Sequence, residues 1–305
     1  MVKVSVIIPT YHRSDCIGRA VDSVLKQTLR DIEIIVVDDN GKNTEHGEQT
    51  AKVMARYENL GNVIYLRHEV NMNGAVARNT GIKRAVGEYI SFLDDDDVYL
   101  PERLEQMVNC MDNKPSCYGA CYTAYIKHLH NGKTLKSQEK AEGNLYIRAL
   151  MRSFFIGSGS NLFYRKSAVD EIGLFNESFL RNQDLEYNLR ILEKYKVAYV
   201  DQPLMEVFYD YRTVSFTYQQ SVDRETMFRN NFKSRIDSLL PAERRNVIAM
   251  YDIDWTRYLL RKKYFRKAFM YIFSSRIPVR VWIKYVFYLF DRYIHGTSYG
   301  FVPQI

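Results

Sequence analysis

No uninterrupted apolar run in the 305 residues approaches the ~20 that a membrane-spanning helix needs, so the chain is expected not to cross a bilayer. Glycine is missing from the turn behind the first apolar stretch, "PTYHRS" at residues 9–14. A dinucleotide oxidoreductase would carry G-x-G-x-x-G there and a sugar nucleotidyltransferase a Gly-rich phosphate loop, and both are excluded. Cysteine is scarce, limited to Cys16, Cys110, Cys117 and Cys121. The C-x3-C spacing of the last two is not that of a zinc knuckle, and no His pair stands nearby at ligand spacing. Reduced structural thiols and a cytoplasmic location are expected. Met1-Val2-Lys3 leads straight into a strand-like run, so no signal peptide is expected.

Acidic residues run short toward the end of the chain. Residues 224–305 hold 16 Lys and Arg against 6 Asp and Glu, a surplus of +10; with a whole-chain charge of +7, the first 223 residues carry −3. An acidic body with a basic tail points to a tail that meets an anionic surface.

What is present begins with alternating strands and helices. Residues 4–8 (VSVII) lack period-2 alternation, as a strand covered on both faces does. Ser14 or Asp15 is expected to cap a helix whose apolar positions are Ile17, Ala20, Val21, Val24 and Leu25. Residues 32–37 (IEIIVV) form a second buried strand that stops at Asp38-Asp39-Asn40-Gly41, and residues 63–66 a third. Asn73-Gly74 opens a helix running to about Ala85, with Gly87 closing it. Residues 89–93 are a fourth strand, followed by four consecutive acids, Asp94 to Asp97. This order means βαβ units and a mainly parallel sheet, whose ligands collect beyond the carboxyl ends of the strands.

Taken singly, each strand end has a bland reading. An Asp run is a solvated loop, Asp-Asp-Asn-Gly a turn, and Arg78 a surface helix residue. Together they gather Pro9, Tyr11, Asp39 and the Asp94–Asp97 run on one rim, with Arg78 just beyond the third strand, which points to a nucleotide site. Adjacent carboxylates are hard ligands for Mg²⁺ or Mn²⁺ shared with a phosphate. Without a cation, the four acids are expected to repel one another and leave their loop mobile. Asp184, in "RNQDLEYNLRIL", stands at the start of a helix, where an acid also simply favours the macrodipole.

The stretches "VSVIIPTYHR", "IEIIVVDDNG", "NMNGAVARNTGIKRAVGEYISFLDDDDVYLP" and "IGLFNESFLRNQDLEYNLRI" resemble successive signatures of the family 2 glycosyltransferases, in order over residues 1 to about 215. The resemblance implies an α/β GT-A fold and an inverting transfer of one sugar from a nucleotide-sugar, expected to be a UDP-sugar. It matches Asp94-x-Asp96 to the family's D-x-D: Asp96 would hold Mn²⁺ or Mg²⁺, and Asp94 or Asp95 would contact the ribose or share the metal. Asp39 would bind the base, with Pro9, Tyr11 and Arg78 lining its pocket. Asp184, preceded by Gln183, would be the general base, with Glu186 the nearest competitor. A loop at residues 157–160 beside the sugar is open, since such loops are also common connections. "YDYRTVSFT" (residues 209–217) departs from the family by offering no His, and Arg212 stands near that position as a partner for diphosphate.

The pattern changes at about residue 216, so residues 1–215 are expected to form the GT-A domain and residues 216–305 a basic, aromatic helical extension. Val279, Trp282, Ile283, Val286, Phe287 and Phe290 fall on one stripe. Such a stripe can lie on a membrane, pair with a second subunit or pack on the first domain, and all three stay open. No recognition motif supports nucleic acid. The expected acceptor is a glycan hydroxyl, lipid-linked, in bacterial capsule or O-antigen synthesis at the inner membrane face. A processive synthase would need membrane spans and Q-x-x-R-W, and neither is present. The alternative is a non-catalytic nucleotide-sugar-binding protein of the same fold.

Overall fold

The computed structural model describes residues 1–208 and 216–305. The chain divides into two compact units, Met1–Tyr146 with Ile156–Tyr209, and Ile147–Phe155 with Asp210–Ile305.

The first unit opens with β1 (Val4–Thr10), α1 (Ile17–Leu25), β2 (Ile32–Asp38), α2 (Glu45–Met54), β3 (Val63–Arg67), α3 (Gly74–Arg84) and β4 (Tyr89–Phe92). Strands β4, β1, β2 and β3 lie side by side in that order, all parallel. The missing alternation in β1 has its reason in two covered faces. Val4, Val6 and Ile8 join one core with Ile17, Ala20, Val21 and Val24 of α1. Ile7 points the other way, onto Gly81 of α3, where an added Cβ would come within 2.3 Å of Ile7 Cγ2. The second half is mixed rather than parallel. Apart from α5 (Tyr146–Leu150), which belongs to the second unit from Ile147 onward, it consists of β5 (Val98–Tyr99), α4 (Arg103–Asp112), β6 (Tyr118–His128), β7 (Thr134–Ser137), β8 (Phe163–Arg165), α6 (Lys166–Ile172), α7 (Gln183–Lys194) and β9 (Lys196–Phe208). Here β8 runs antiparallel between β4 and β6, while β9 pairs β6 in parallel and β5 antiparallel.

Two local expectations are corrected. Neither Ser14 nor Asp15 caps α1; Cys16 takes that position, and the Arg13 carbonyl accepts from the Cys16 and Ile17 N–H groups instead. Gly87 does not close α3, which ends at Arg84; it lets the chain pass Ser5, whose backbone nitrogen would lie 2.5 Å from an added Cβ. Helix α2 went unforeseen because its sequence, EHGEQTAKVM, buries only Gly47, Thr50 and Met54. Thr44 starts it by accepting from the Gly47 N–H at 3.0 Å.

The second unit is helical: α8 (Tyr218–Asn231), α9 (Lys233–Asp237), α10 (Pro241–Arg261), α11 (Phe265–Ser274) and α12 (Val279–His295). Its half-buried ion cluster has Glu225 between Arg152 at 2.8 Å and Arg229 at 2.7 Å, with Arg229 also reaching Asp252. The Arg152 guanidinium lies 4.1 Å over the Phe228 ring. Among the described residues, no helix is long and apolar enough to cross a membrane.

Candidate active site

The carboxyl ends of β1 to β4 converge on a cleft of about 470 Å³. Pro9, Tyr11, Asp39, Arg78, Asp94, Asp95 and Asp96 all line it. Arg212 lies outside the described residues. Tyr11 keeps its ring nearly half exposed and stacks on His12 at 3.8 Å.

Asp39 is more engaged than its sequence context indicates. Its Oδ1 meets His68 Nδ1 at 2.7 Å and accepts from the Met72 N–H at 2.8 Å; its Oδ2 accepts from Asn71 Nδ2 and the Asn73 N–H, both at 2.9 Å. A carboxylate has about four lone-pair sites, so Asp39 holds the loop that leads into α3. Asn73, at φ 93°, then caps α3 by accepting from the Ala75 N–H.

The four consecutive acids are not left to repel each other, contrary to the expectation of a mobile loop. Arg13 pairs with Asp96 and reaches Asp95 at 3.2 Å, and Arg78 pairs with Asp94 at 2.7 Å. Two guanidinium groups thus face three carboxylates. Asp95, buried, also accepts from Thr10 Oγ1 at 2.7 Å. Both of its oxygens are engaged inside the protein, which makes it a brace of the cleft wall. Burial pushes its pKa up to about 7, against the pull of Arg13 and Thr10. Asp96 is raised by burial and by the charge of Asp94, with Arg13 opposing.

Asp97, to which the sequence attaches no chemistry, is the hub of the far side. Its Oδ2 accepts from Ser158 and Ser160 hydroxyls at 2.7 Å each, and its Oδ1 from the Phe208 N–H at 3.2 Å. Ser160 Oγ in turn accepts from the Asp94 N–H at 2.9 Å. The loop at residues 157–160 is therefore tied to the acidic run. Gly157 sits at φ 88° against the Tyr125 ring, where a Cβ would lie 2.7 Å from Cζ.

Asp184 stands in the first turn of α7, half-buried, outside the wall of the cleft itself. Two contacts bring it to the site. Its neighbour Gln183 accepts from Arg78 Nη1 at 3.0 Å, so Arg78 joins the start of α7 to Asp94. Its own carboxylate packs on Gly159, where an added Cβ would be 3.3 Å from Oδ2. Burial raises the Asp184 pKa; Arg78 opposes and Asp94 adds to the rise. Glu186, the competing acid, is turned away into an ion pair with Arg190 at 2.8 Å.

Sequence reasoning passed over Arg13, Asn71, Asn73 and Asp97. Arg13 had a usable signal, since it sits in the loop behind β1, on the rim that carries the other site residues. Among the described residues, no three His, Cys, Asp or Glu side chains are grouped to hold a metal. A divalent cation would rest on Asp94 and Asp96, the remaining positions going to water and diphosphate oxygens, which is the usual habit of Mg²⁺. The two guanidinium groups on these carboxylates mark the same demand for positive charge.

Comparison with known proteins gives this arrangement a lineage. Residues 5–173 match the model of Glycosyl transferase family 2. The chain is 33% identical over 195 residues to an uncharacterized glycosyltransferase of Rickettsia felis, a match covering 62% of this chain and 31% of that protein. It thus spans about a third of the length of that relative. It is 31% identical over 216 residues to the putative teichuronic acid biosynthesis glycosyltransferase TuaG of Bacillus subtilis, covering 70% of this chain and 79% of TuaG. In structure it is similar to S. aureus TarS 1-349 in complex with UDP-GlcNAc, with a TM-score of 0.66 at 19% identity over 84% of this chain and 72% of that one. The first unit has the GT-A fold of such neighbours, and with more than half its length fitting the family model, this chain belongs to glycosyl transferase family 2.

Proposed function

We propose that the protein transfers a single sugar, with inversion, from a UDP-sugar to a hydroxyl of a lipid-linked glycan acceptor. The setting is bacterial cell-surface polysaccharide synthesis at the inner membrane face. The observation that carries this reading is the chain Asp94–Arg78–Gln183, which links the half-buried acid Asp184 to a carboxylate cleft at the ends of four strands.

In this reading Tyr11 and Pro9 receive the base, and Asp39 shapes that wall by holding residues 71–73. Direct acceptance from a base N–H by Asp39 would require one of its four present bonds to give way. Asp96, with Asp94, would hold a divalent cation, whose charge would offset that growing on the departing diphosphate. Arg13 and Arg78, which line the cleft beside Asp96 and Asp94, are the cationic side chains placed to meet diphosphate oxygens. Asp184 takes the proton of the attacking hydroxyl at a carboxylate oxygen, and burial, by raising its proton affinity, suits it to that task.

Asp184→Asn is the test. It should lower transfer by roughly 10²–10⁴-fold, the usual weight of a general base, while leaving cation-dependent UDP binding intact. Full activity in this variant would end the base assignment. UDP-sugar binding equally tight in EDTA would end the cation bridge, and binding without turnover in the unaltered protein would favour a non-catalytic role.

A further inference from the structure

Helix α12 is apolar on two faces, and only one of them is covered. Val281, Tyr285 and Tyr288 are buried, and Tyr288 donates to the Tyr299 carbonyl at 2.6 Å. The richer stripe faces outward. Val279, Ile283, Val286, Phe287 and Phe290 are 51–73% exposed, and of the stripe read from the sequence only Trp282 is half-buried. At about 100° per residue these five side chains fall within one narrow sector, with Arg280 and Lys284 along its border. Helix α11 repeats the pattern: Phe265, Phe269 and Phe273, one turn apart, are 62–73% exposed. Isolated exposed apolar residues are ordinary, but rows of Phe along two consecutive helices mark an interaction surface.

The charge around these rows selects the partner. Residues 255–290 contain nine Lys and Arg and no Asp or Glu, and eight of the nine are exposed. In a two-fold dimer this face would meet itself, bringing cations against cations with no acid in either stretch to answer them. An anionic surface with an apolar layer beneath it satisfies both features at once. We infer that the outward faces of α11 and α12 seat this unit on a bilayer surface containing anionic phospholipids, with Phe269, Phe273, Phe287 and Phe290 entering the acyl boundary. Arg280 and Lys284 meet lipid phosphates at its edge. The helices lie in the interface and do not cross, since none is long and apolar enough to do so among the described residues. This rests on the second unit alone and stands whether or not the sugar-transfer reading does.

Co-sedimentation of the full chain with phosphatidylcholine vesicles, with and without phosphatidylglycerol, tests the inference. Binding should be at least about ten-fold stronger to the anionic vesicles and should weaken at high salt. Phe287→Ser with Phe290→Ser should reduce it by about ten-fold or more, the effect of withdrawing two buried aromatic side chains. Arg280→Glu with Lys284→Glu should remove the preference for phosphatidylglycerol. All four positions are exposed, so both variants should keep the unaltered thermal unfolding curve and UDP binding. Equal affinity for both vesicle types, or no vesicle binding at all, would overturn the inference. So would sedimentation velocity showing a lipid-free dimer that the double Phe variant dissociates.

Discussion

Asp184 is aimed by contact with a residue that has no side chain. A Cβ at position 159 would fall 3.1 Å from Asp184 Cβ, close enough that the acid must give by a few tenths of an ångström. Gly159 has ordinary backbone angles, so alanine there adds crowding without conformational strain. Gly159→Ala should therefore reduce transfer by roughly ten-fold, because small misplacements of a reacting group carry large rate penalties. UDP affinity should stay unchanged, since the cleft lining does not include Gly159. Steady-state kinetics beside UDP titration separate the two, and unaltered kcat would show that Asp184 is not held by this contact. At this scale the sequence announces the carboxylates clearly, because acids at successive strand ends stand out against apolar runs. It is silent on what neutralises them. Arg13 reaches Asp96 across 83 positions of chain, and Asp97 finds its serines 61 and 63 positions away. Only the folded sheet brings such partners together.

Elements show where pattern suffices and where it fails. The packing of α3 on β1 is legible after the fact in a single glycine. Gly81→Ala forces a methyl to within 2.3 Å of Ile7 Cγ2, and Ile7, buried and β-branched, has few rotamers to retreat into. Overpacking at about 1–3 kcal/mol outweighs the ~1 kcal/mol that alanine regains over glycine in a helix, so this variant should unfold at lower denaturant. Gly61→Ala is the control: nothing lies within 4 Å of its added Cβ, so stability should be unchanged or rise by about 0.5 kcal/mol. Equal midpoints for the two variants would show that α3 can shift off β1 without penalty. The strands were legible because burial on both faces leaves a continuous apolar run. Helix α2 was not, since its few buried residues give no period. Helix α12 carried a readable stripe whose orientation was hidden: the rings of Tyr285 and Tyr288, the latter accepting from Arg292, are drawn inward, and the more apolar face is left outside.

At the scale of the whole molecule, the sequence changes pattern near residue 216. Ile147–Phe155 (IRALMRSFF) has the basic, aromatic character of the second unit's helices, but it stands far upstream of them in the chain, and sequence order alone groups it with the first unit. Its tie is Arg152, whose guanidinium stacks on Phe228 and Tyr251 and pairs with Glu225. This cluster makes the stability of the second unit depend on pH, with a sign that can be worked out. Burial acts to raise the Glu225 pKa from its ordinary 4.5, but Arg152 and Arg229 together lower it. A carboxylate lowered on folding contributes stability that is full above its unfolded pKa and is lost as pH falls through the folded value. Asp254 works in the opposite sense: burial raises it, with Arg257 opposing, so its protonation favours the folded state as pH falls. The two effects overlap in the unaltered protein, and only substitution separates them. Glu225→Gln should destabilise the unit by about 1–3 kcal/mol at neutral pH, leaving two half-buried cations short of their partner. It should also flatten the loss of stability below about pH 4.5, the ordinary value from which Glu225 is displaced. Asp254→Asn should steepen that loss by removing the opposing group. Thermal unfolding of the three proteins across the acid range decides the matter, and parallel curves would mean that neither carboxylate governs the acid behaviour of this unit.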